Sequence, residues 1–228
     1  MQLFLARHGQ TALNTQGRFL GQVDDPLDEM GTRQVQALAA RLEDEHISAV
    51  VSSDLSRAMG TAIAIADLHE LTVQVDRDLQ EINMGSWEGK LVSEVKQTEP
   101  QLFDEWLRDP VQYFPIGGES LEAMRTRLER ALTHWQERYP TRPGEHEPRV
   151  VWVTHSACIG VLLCHLLGLP LAMRRHFSIQ NASLSLIHLV SQGQGTSSVL
   201  YSLNDTGHLW VRGFSPKPPH SYLYLPHE

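Results

Sequence analysis

Arg7-His8, Arg57 and His155-Ser156 are the residues of this chain whose types and spacing suit chemistry. Leu5-Ala6 runs into Arg7-His8 and Val153-Thr154 runs into His155-Ser156, so two short apolar runs end in the same way. Read as parallel strands, they deliver these side chains to one sheet edge, and ligands of open parallel sheets bind beyond the carboxyl ends of the strands. A third run, 49–52, leads through Ser53-Asp54-Leu55-Ser56 to Arg57 at the start of a helix. Two arginines and two histidines at one edge make a pocket for a small, multiply charged anion, because the planar guanidinium fork matches a phosphate group. The same cations disfavour protonation of a neighbouring imidazole, which keeps it nucleophilic near neutral pH. The chain has 12 histidines, and one at a strand end is as readily structural as functional. His46, His69, His134, His146, His220 and His227 lie in polar segments and read as solvated, and His165 reads as a core or helix-surface residue. Convergence with two arginines is what singles out His8 and His155.

The elements that must position these residues alternate along the chain, which points to an α/β layered fold with a largely parallel sheet. Strands are expected at 2–6, 49–52, 72–75 and 149–154, with an antiparallel pair at 184–190 and 198–203. A helix at 29–43 would bury Val35, Leu38, Ala39 and Leu42 behind an Asp28 cap, and one at 56–69 would bury Ala58, Ala62, Ile65 and Leu68. A long helix is expected at 120–138, a polar linker at 141–148, and an apolar helix after His155. The rhythm breaks over about 76–119, where Trp87, Phe103, Trp106 and Phe114 sit among loops and short helical pieces. This stretch reads as a cap over one end of the sheet, with its tryptophans more readily packed than lining a cavity. No internal repeat appears, so 1–228 reads as a single domain with a Pro-rich C-terminal arm at 214–228.

Composition narrows the function classes. The 228 residues carry 19 Lys plus Arg against 27 Asp plus Glu, a net charge of −8. That balance opposes a broad basic surface for nucleic acid, which needs clustered Lys and Arg. The best membrane candidate, 157–173, is interrupted by His165 and Pro170 and falls short of the ~20 apolar residues that span a bilayer. The N-terminal residues lack a basic region and a long enough apolar run for a signal peptide, so a cytoplasmic location is expected. The two cysteines, Cys158 and Cys164, read as buried inert thiols, with neither CxxC nor metal-type spacing. Gly193-Gln194-Gly195 reads as a hairpin turn rather than a dinucleotide loop, because no helix follows it. Neither a GxSxG elbow nor an HExxH motif occurs.

Taken together, the motifs resemble the histidine phosphatase superfamily, the phosphoglycerate mutase-like fold. The resemblance begins with Arg7-His8-Gly9-Gln10-Thr11 and Asn14, and continues through Phe19-Leu20-Gly21 and Leu27 with Gly31. Ser52-Ser53-Asp54-Leu55-Ser56-Arg57-Ala58 with Thr61-Ala62 follows, then Glu81 with Gly85-Ser86-Trp87-Glu88-Gly89. Gly117-Gly118-Glu119-Ser120 and Val153-Thr154-His155 complete it, so it spans roughly 1–204. It implies a three-layer α/β/α sandwich with a mostly parallel six-stranded sheet and a cap insertion.

The resemblance also implies roles. His8 would be the nucleophile, its other ring nitrogen held by a backbone carbonyl, and His155 a protonated partner. Arg7, Asn14, Arg57 and His155 would hold the phosphoryl oxygens, with Ser156 beside them where glycine is commoner in the family. Glu81 would donate a proton to the leaving group, apolar cover and a bound phosphate dianion favouring its protonated form. Gln10, Thr11, Leu20, Gly21 and Met84 would be substrate contacts, Met84 standing where phosphatases of this branch often have an aromatic residue. The activity implied is a two-step hydrolysis of a small phosphorylated metabolite, with no metal or cofactor. Many relatives dimerise, and a homodimer fits that pattern, although no interface is legible here. A cofactor-dependent phosphoglycerate mutase shares the catalytic set. Mutases, however, resemble Glu-Arg-His-Tyr-Gly where this chain has Glu81-Ile82-Asn83-Met84-Gly85, and only Arg108 stands where they carry paired arginines. A silent phosphate-binding module on the same fold is the reading from another class. It is disfavoured because His8, Arg7, Arg57, Glu81 and His155 are all present.

Overall fold

A computed structural model describes residues 1–192 and 195–214. The turn expected at Gly193-Gln194, the expected arm beyond Phe214, and His220 and His227 within it lie outside the described residues. In chain order the first half runs β1 (Gln2–Arg7), α1 (Ala12–Thr15), α2 (Glu29–Leu42), β2 (Ala49–Ser52), α3 (Ser56–Leu68) and β3 (Gln74–Val75). Next come α4 (Val92–Thr98), α5 (Pro100–Arg108), α6 (Leu121–Arg138), β4 (Arg149–Thr154), α7 (Ser156–Leu166), β5 (Leu184–Gln192), β6 (Gly195–Asp205) and α8 (Gly207–Val211).

The six strands form one sheet in the order β3-β2-β4-β1-β5-β6. The β3–β2, β2–β4 and β4–β1 pairs are parallel, and the two pairs involving β5 are antiparallel. Side chains alternate between two cores because successive strand residues point to opposite faces. Leu3, Leu5, Val150 and Trp152 enter one core with α6 and α7, whereas Phe4, Ala6, Val151 and Val153 enter the other with α2 and α3. The result is the expected three-layer sandwich with a mostly parallel sheet.

Register positions the site. Arg7 pairs with Thr154 and Ser52 with Val153, so β1, β4 and β2 end level with one another. The first long helices after them pack on opposite faces, α2 on one and α7 on the other. This makes the adjacent ends of β1 and β4 a topological switch point, where such sheets bind ligands.

Most expected elements are observed within a residue or two. Two details differ. β3 is only Gln74–Val75, and Leu68 is 47% exposed instead of joining the buried stripe of α3. Leu68 is the last residue of α3 and lies beyond its buried members, Arg57, Ala58, Thr61, Ala62, Ile65 and Ala66, at the open C-terminal end of the helix. In the segment between β3 and α6, Trp87, Phe103 and Trp106 pack with Phe19 into an aromatic cluster rather than an open cavity wall, the Trp87 and Phe19 rings 5.2 Å apart.

Candidate active site

Because β1 and β4 end in register, the next residue of each strand, His8 and His155, stands beside the other, with ring centroids 5.1 Å apart. Both are buried. His8 Nδ1 lies 2.7 Å from the Gly9 carbonyl oxygen, which can only accept, so Nδ1 carries the proton and Nε2 keeps its lone pair. Nε2 of His155 lies 3.0 Å from Ser53 Oγ, and Ser53 is itself stitched to the end of β4 through its N–H and the Val153 carbonyl. The sequence motif contained Ser53 without indicating this role.

Arg57, in the first turn of α3, is fully buried. Its guanidinium donates to the Val23 carbonyl at 2.7 Å and the Gly21 carbonyl at 2.8 Å, which wraps the 19–23 loop around it. Gly21 is required there. Its φ is +52°, and a Cβ would fall 2.2 Å from Glu88 Oε1. Glu88 in turn accepts from the Gln22 and Met84 N–H groups, tying this loop to the segment that carries Glu81. Arg7 donates to the Ile179 carbonyl at 2.6 Å. Among the described residues, Arg57 Nε and His155 Nδ1 are buried without a hydrogen-bond partner, an arrangement that a bound anionic oxygen would complete.

Burial drives the electrostatics. It lowers the His8 pKa well below the usual value of 6.5, and the positive charges of Arg57 and then Arg7 push it further down. The Gly9 carbonyl opposes this without overcoming it. His155 is lowered for the same main reason, burial, followed by Arg57, His8 and Arg7. In the ligand-free protein, burial and these cations therefore disfavour the charged form of His155 that was expected beside a phosphoryl group.

The linked effect on stability has a definite sign. The unfolded chain takes up protons on both histidines near pH 6.5, while the native state refuses them until lower pH. This stability is fully present above about pH 6.5 and is lost as pH falls toward the depressed native values. Each histidine contributes a limiting slope of about 1.4 kcal/mol per pH unit. Urea unfolding of the ligand-free protein between about pH 5 and 7 should show the decline, and His8→Gln should reduce its slope by about half, leaving the part due to His155.

Glu81 is half-buried and close enough to Arg57 for the two charges to interact. Its Oε1 accepts from the Ile82 N–H at 2.9 Å, and its Oε2 from the Ala157 N–H at 3.3 Å in the first turn of α7. Its backbone carbonyl accepts from Gln22 Nε2 and Arg127 Nη2. Arg127, on α6, makes a two-point ion pair with Glu119, which also accepts from the Asn83 N–H. The Gly-Gly-Glu-Ser motif was therefore visible in the sequence, but its partner Arg127 and its task of clamping the Glu81 segment were not.

The remaining expected site residues are placed as follows. Asn14 is half-buried in α1, and its Oδ1 accepts from the Thr11 N–H at 3.3 Å. Thr11 is fully buried and caps α1, and Gln10 donates to Asp28 at 3.0 Å. Ser156 begins α7 next to His155 and is half-buried, as is Leu20. Met84 is only 6% exposed and belongs to the same buried core as the aromatic cluster. Cys158 and Cys164 are free and buried, and burial pushes the Cys158 thiol up to about 12, which makes it unreactive. Asn181, also at this end of the sheet, gave no signal in the sequence.

Residues 3–203 match the family described as Histidine phosphatase superfamily (branch 1). The chain belongs to this superfamily, and its enzyme class is that of phosphoric monoester hydrolases. Among similar proteins, Phosphoserine phosphatase 1 of Hydrogenobacter thermophilus is 34% identical over 209 residues, covering 92% of this chain and 94% of the relative. The Yersinia pestis protein named "Probable phosphoglycerate mutase GpmB" is 34% identical over 210 residues, covering 92% and 95%. A solved mycobacterial glucosyl-3-phosphoglycerate phosphatase in complex with VO3 superposes with a TM-score of 0.82 at 32% identity, covering 89% of this chain and 98% of the other. Among the described residues, no helix is long and apolar enough to cross a membrane.

Proposed function

We propose that this chain hydrolyses the phosphomonoester of a small metabolite, without a metal ion, through a phosphohistidine on His8. The observation that carries this reading is the His8 ring, its Nδ1 proton committed to Gly9 and its Nε2 lone pair kept beside Arg7, Arg57 and His155. In the first step Nε2 attacks phosphorus, the ester P–O bond breaks, and Glu81 protonates the departing oxygen. An alkoxide is too basic to leave unaided, so this acid is required. In the second step Glu81 takes a proton from water, the water oxygen attacks phosphorus, and the N–P bond breaks to release phosphate. Charge on the equatorial oxygens is met by Arg7, Arg57, the Asn14 amide and a His155 N–H, so positioning and electrostatics supply most of the catalysis. Ser156 adds a hydroxyl at the same helix end.

The name of the Yersinia relative favours a mutase as the second reading. Against it, α5 holds a single arginine, Arg108, which is 70% exposed and paired with Glu105, where mutases carry two. A panel of phosphomonoesters, assayed after EDTA treatment with and without vanadate, separates the readings. Phosphate release that survives EDTA and is blocked by vanadate is expected. Glu81→Gln should lower turnover of alkyl esters by about 10²-fold or more, and much less for an aryl ester with a weakly basic leaving group. Phosphoglycerate isomerisation that requires a bisphosphate, without ester hydrolysis, would establish the mutase reading instead.

A further inference from the structure

We propose that Asn181 is a positioning residue that sets both the tautomer of His8 and the orientation of the Asn14 amide. The inference rests on the reading of His8 as the nucleophile. Asn181 precedes β5 and is 173 residues from His8 in sequence. Its Nδ2 lies 3.1 Å from the His8 carbonyl, 3.2 Å from the Gly9 carbonyl and 3.1 Å from Asn14 Oδ1. Two hydrogens serve three acceptors, so one hydrogen is shared between the adjacent carbonyls and the other goes to Asn14.

Each contact has one direction only. Backbone carbonyls accept and cannot donate, so the nitrogen of Asn181 must face them. Asn14 Oδ1 also receives the Thr11 N–H, a pure donor, so both hydrogen bonds agree on which end of the Asn14 amide is oxygen. The Asn14 NH₂ is left for another acceptor, as a phosphoryl contact requires. The Gly9 carbonyl receives Asn181 on one side and His8 Nδ1–H on the other, which fills both lone pairs. The peptide beyond it is held at its other end, where the Gln10 N–H donates to Gln34 at 2.9 Å. With Asn181 in place, the Gly9 carbonyl stays aimed at the imidazole and the proton stays on Nδ1.

The segment is anchored for this task. The Ala182 N–H donates to the His8 carbonyl at 3.1 Å, and the Arg7 N–H donates to Ser183. Ala182 has φ +53°, a left-handed conformation that costs a non-glycine residue on the order of 1 kcal/mol or more. Buried His208 bonds the Ala182 carbonyl at 2.8 Å and supports the turn from behind.

The test combines nitrogen NMR of the histidine-labelled protein with rapid-quench trapping of phosphohistidine, using Asn181→Ala and the similarly sized Asn181→Leu. The His8 signal is assigned by its loss in His8→Gln. Wild-type His8 should show a protonated Nδ1 and a bare Nε2. Both variants should move part of the population to the Nε2–H form and slow phosphohistidine formation by about 10- to 100-fold, as for removal of comparable supporting hydrogen bonds. Asn181→Leu keeps much of the volume, carries no charge and donates nothing, so a loss shared with Asn181→Ala identifies the donor, not the packing. His8 remaining wholly Nδ1–H in both variants would overturn the inference, whatever their activity. Wild-type protein that turns over esters without trapping phosphate on His8 would instead overturn the nucleophile reading, while the tautomer measurement would still decide the role of Asn181.

Discussion

His8→Ala is expected to lower kcat/KM toward every phosphomonoester substrate by about 10⁴- to 10⁶-fold, the scale seen when a covalent nucleophile is removed. No other group among the described residues near the site offers a comparable nucleophile. His155 Nε2 is engaged with Ser53, and the buried Cys158 thiol is held protonated near Sγ contacts with the Leu79 and Gln80 carbonyls. The variant should fold, because a small side chain replaces one in a wall of backbone hydrogen bonds that do not involve the imidazole. Those include His8 N–H to Thr154 and Ala182 N–H to the His8 carbonyl. Trapping with labelled ester should show phosphate bound to wild-type protein and none on the variant. Equal trapping in both would remove His8 from the mechanism.

Arg57→Ala carries the second largest expected effect, a loss of about 10³- to 10⁵-fold in kcat/KM, the range for removing an arginine that meets transition-state charge. The same change strips donors from the Gly21 and Val23 carbonyls, so it should also destabilise the protein by about 1–3 kcal/mol per carbonyl left unpaired in the interior. Arg57→Lys separates the two effects. It keeps the charge that depresses His8 but loses the fork that binds two carbonyls and still has donors left for phosphate. Arg57→Ala should therefore let the His8 pKa rise toward its usual value, while burial still holds it down. The acid limb of kcat/KM, corrected for ionisation of the substrate phosphate, should move to higher pH in Arg57→Ala and stay nearly in place in Arg57→Lys. An unmoved limb in both would show that Arg57 does not act on the nucleophile.

Much of this site could be read along the chain. The runs ending at Arg7-His8, Ser52 and Thr154-His155 are short, apolar and sharply terminated, and each is a strand whose end faces the site. Capping chemistry was equally local: Asp28 and Ser120 cap the helices they were expected to cap or begin, each accepting an N–H three residues on. The reading was weaker where a property depends on what packs against a segment. Leu68 fits an apolar period yet faces out.

What the sequence by itself determined is therefore the α/β alternation, the strand ends and the residue types at them, because hydrophobic period and turn chemistry act over a few neighbouring residues. The tertiary structure decided how those residues behave. Level register of β1, β4 and β2 brought His8, His155 and Ser53 together, and removal of water around the two imidazoles lowers the pKa of both. It also supplied the long-range partners: Arg127 for the Glu81 segment, the 19–23 loop for Arg57, and Asn181 for Gly9 and Asn14. Desolvation and hydrogen bonding depend on which atoms share a volume, and residues 173 positions apart share one only after the sheet has closed around them.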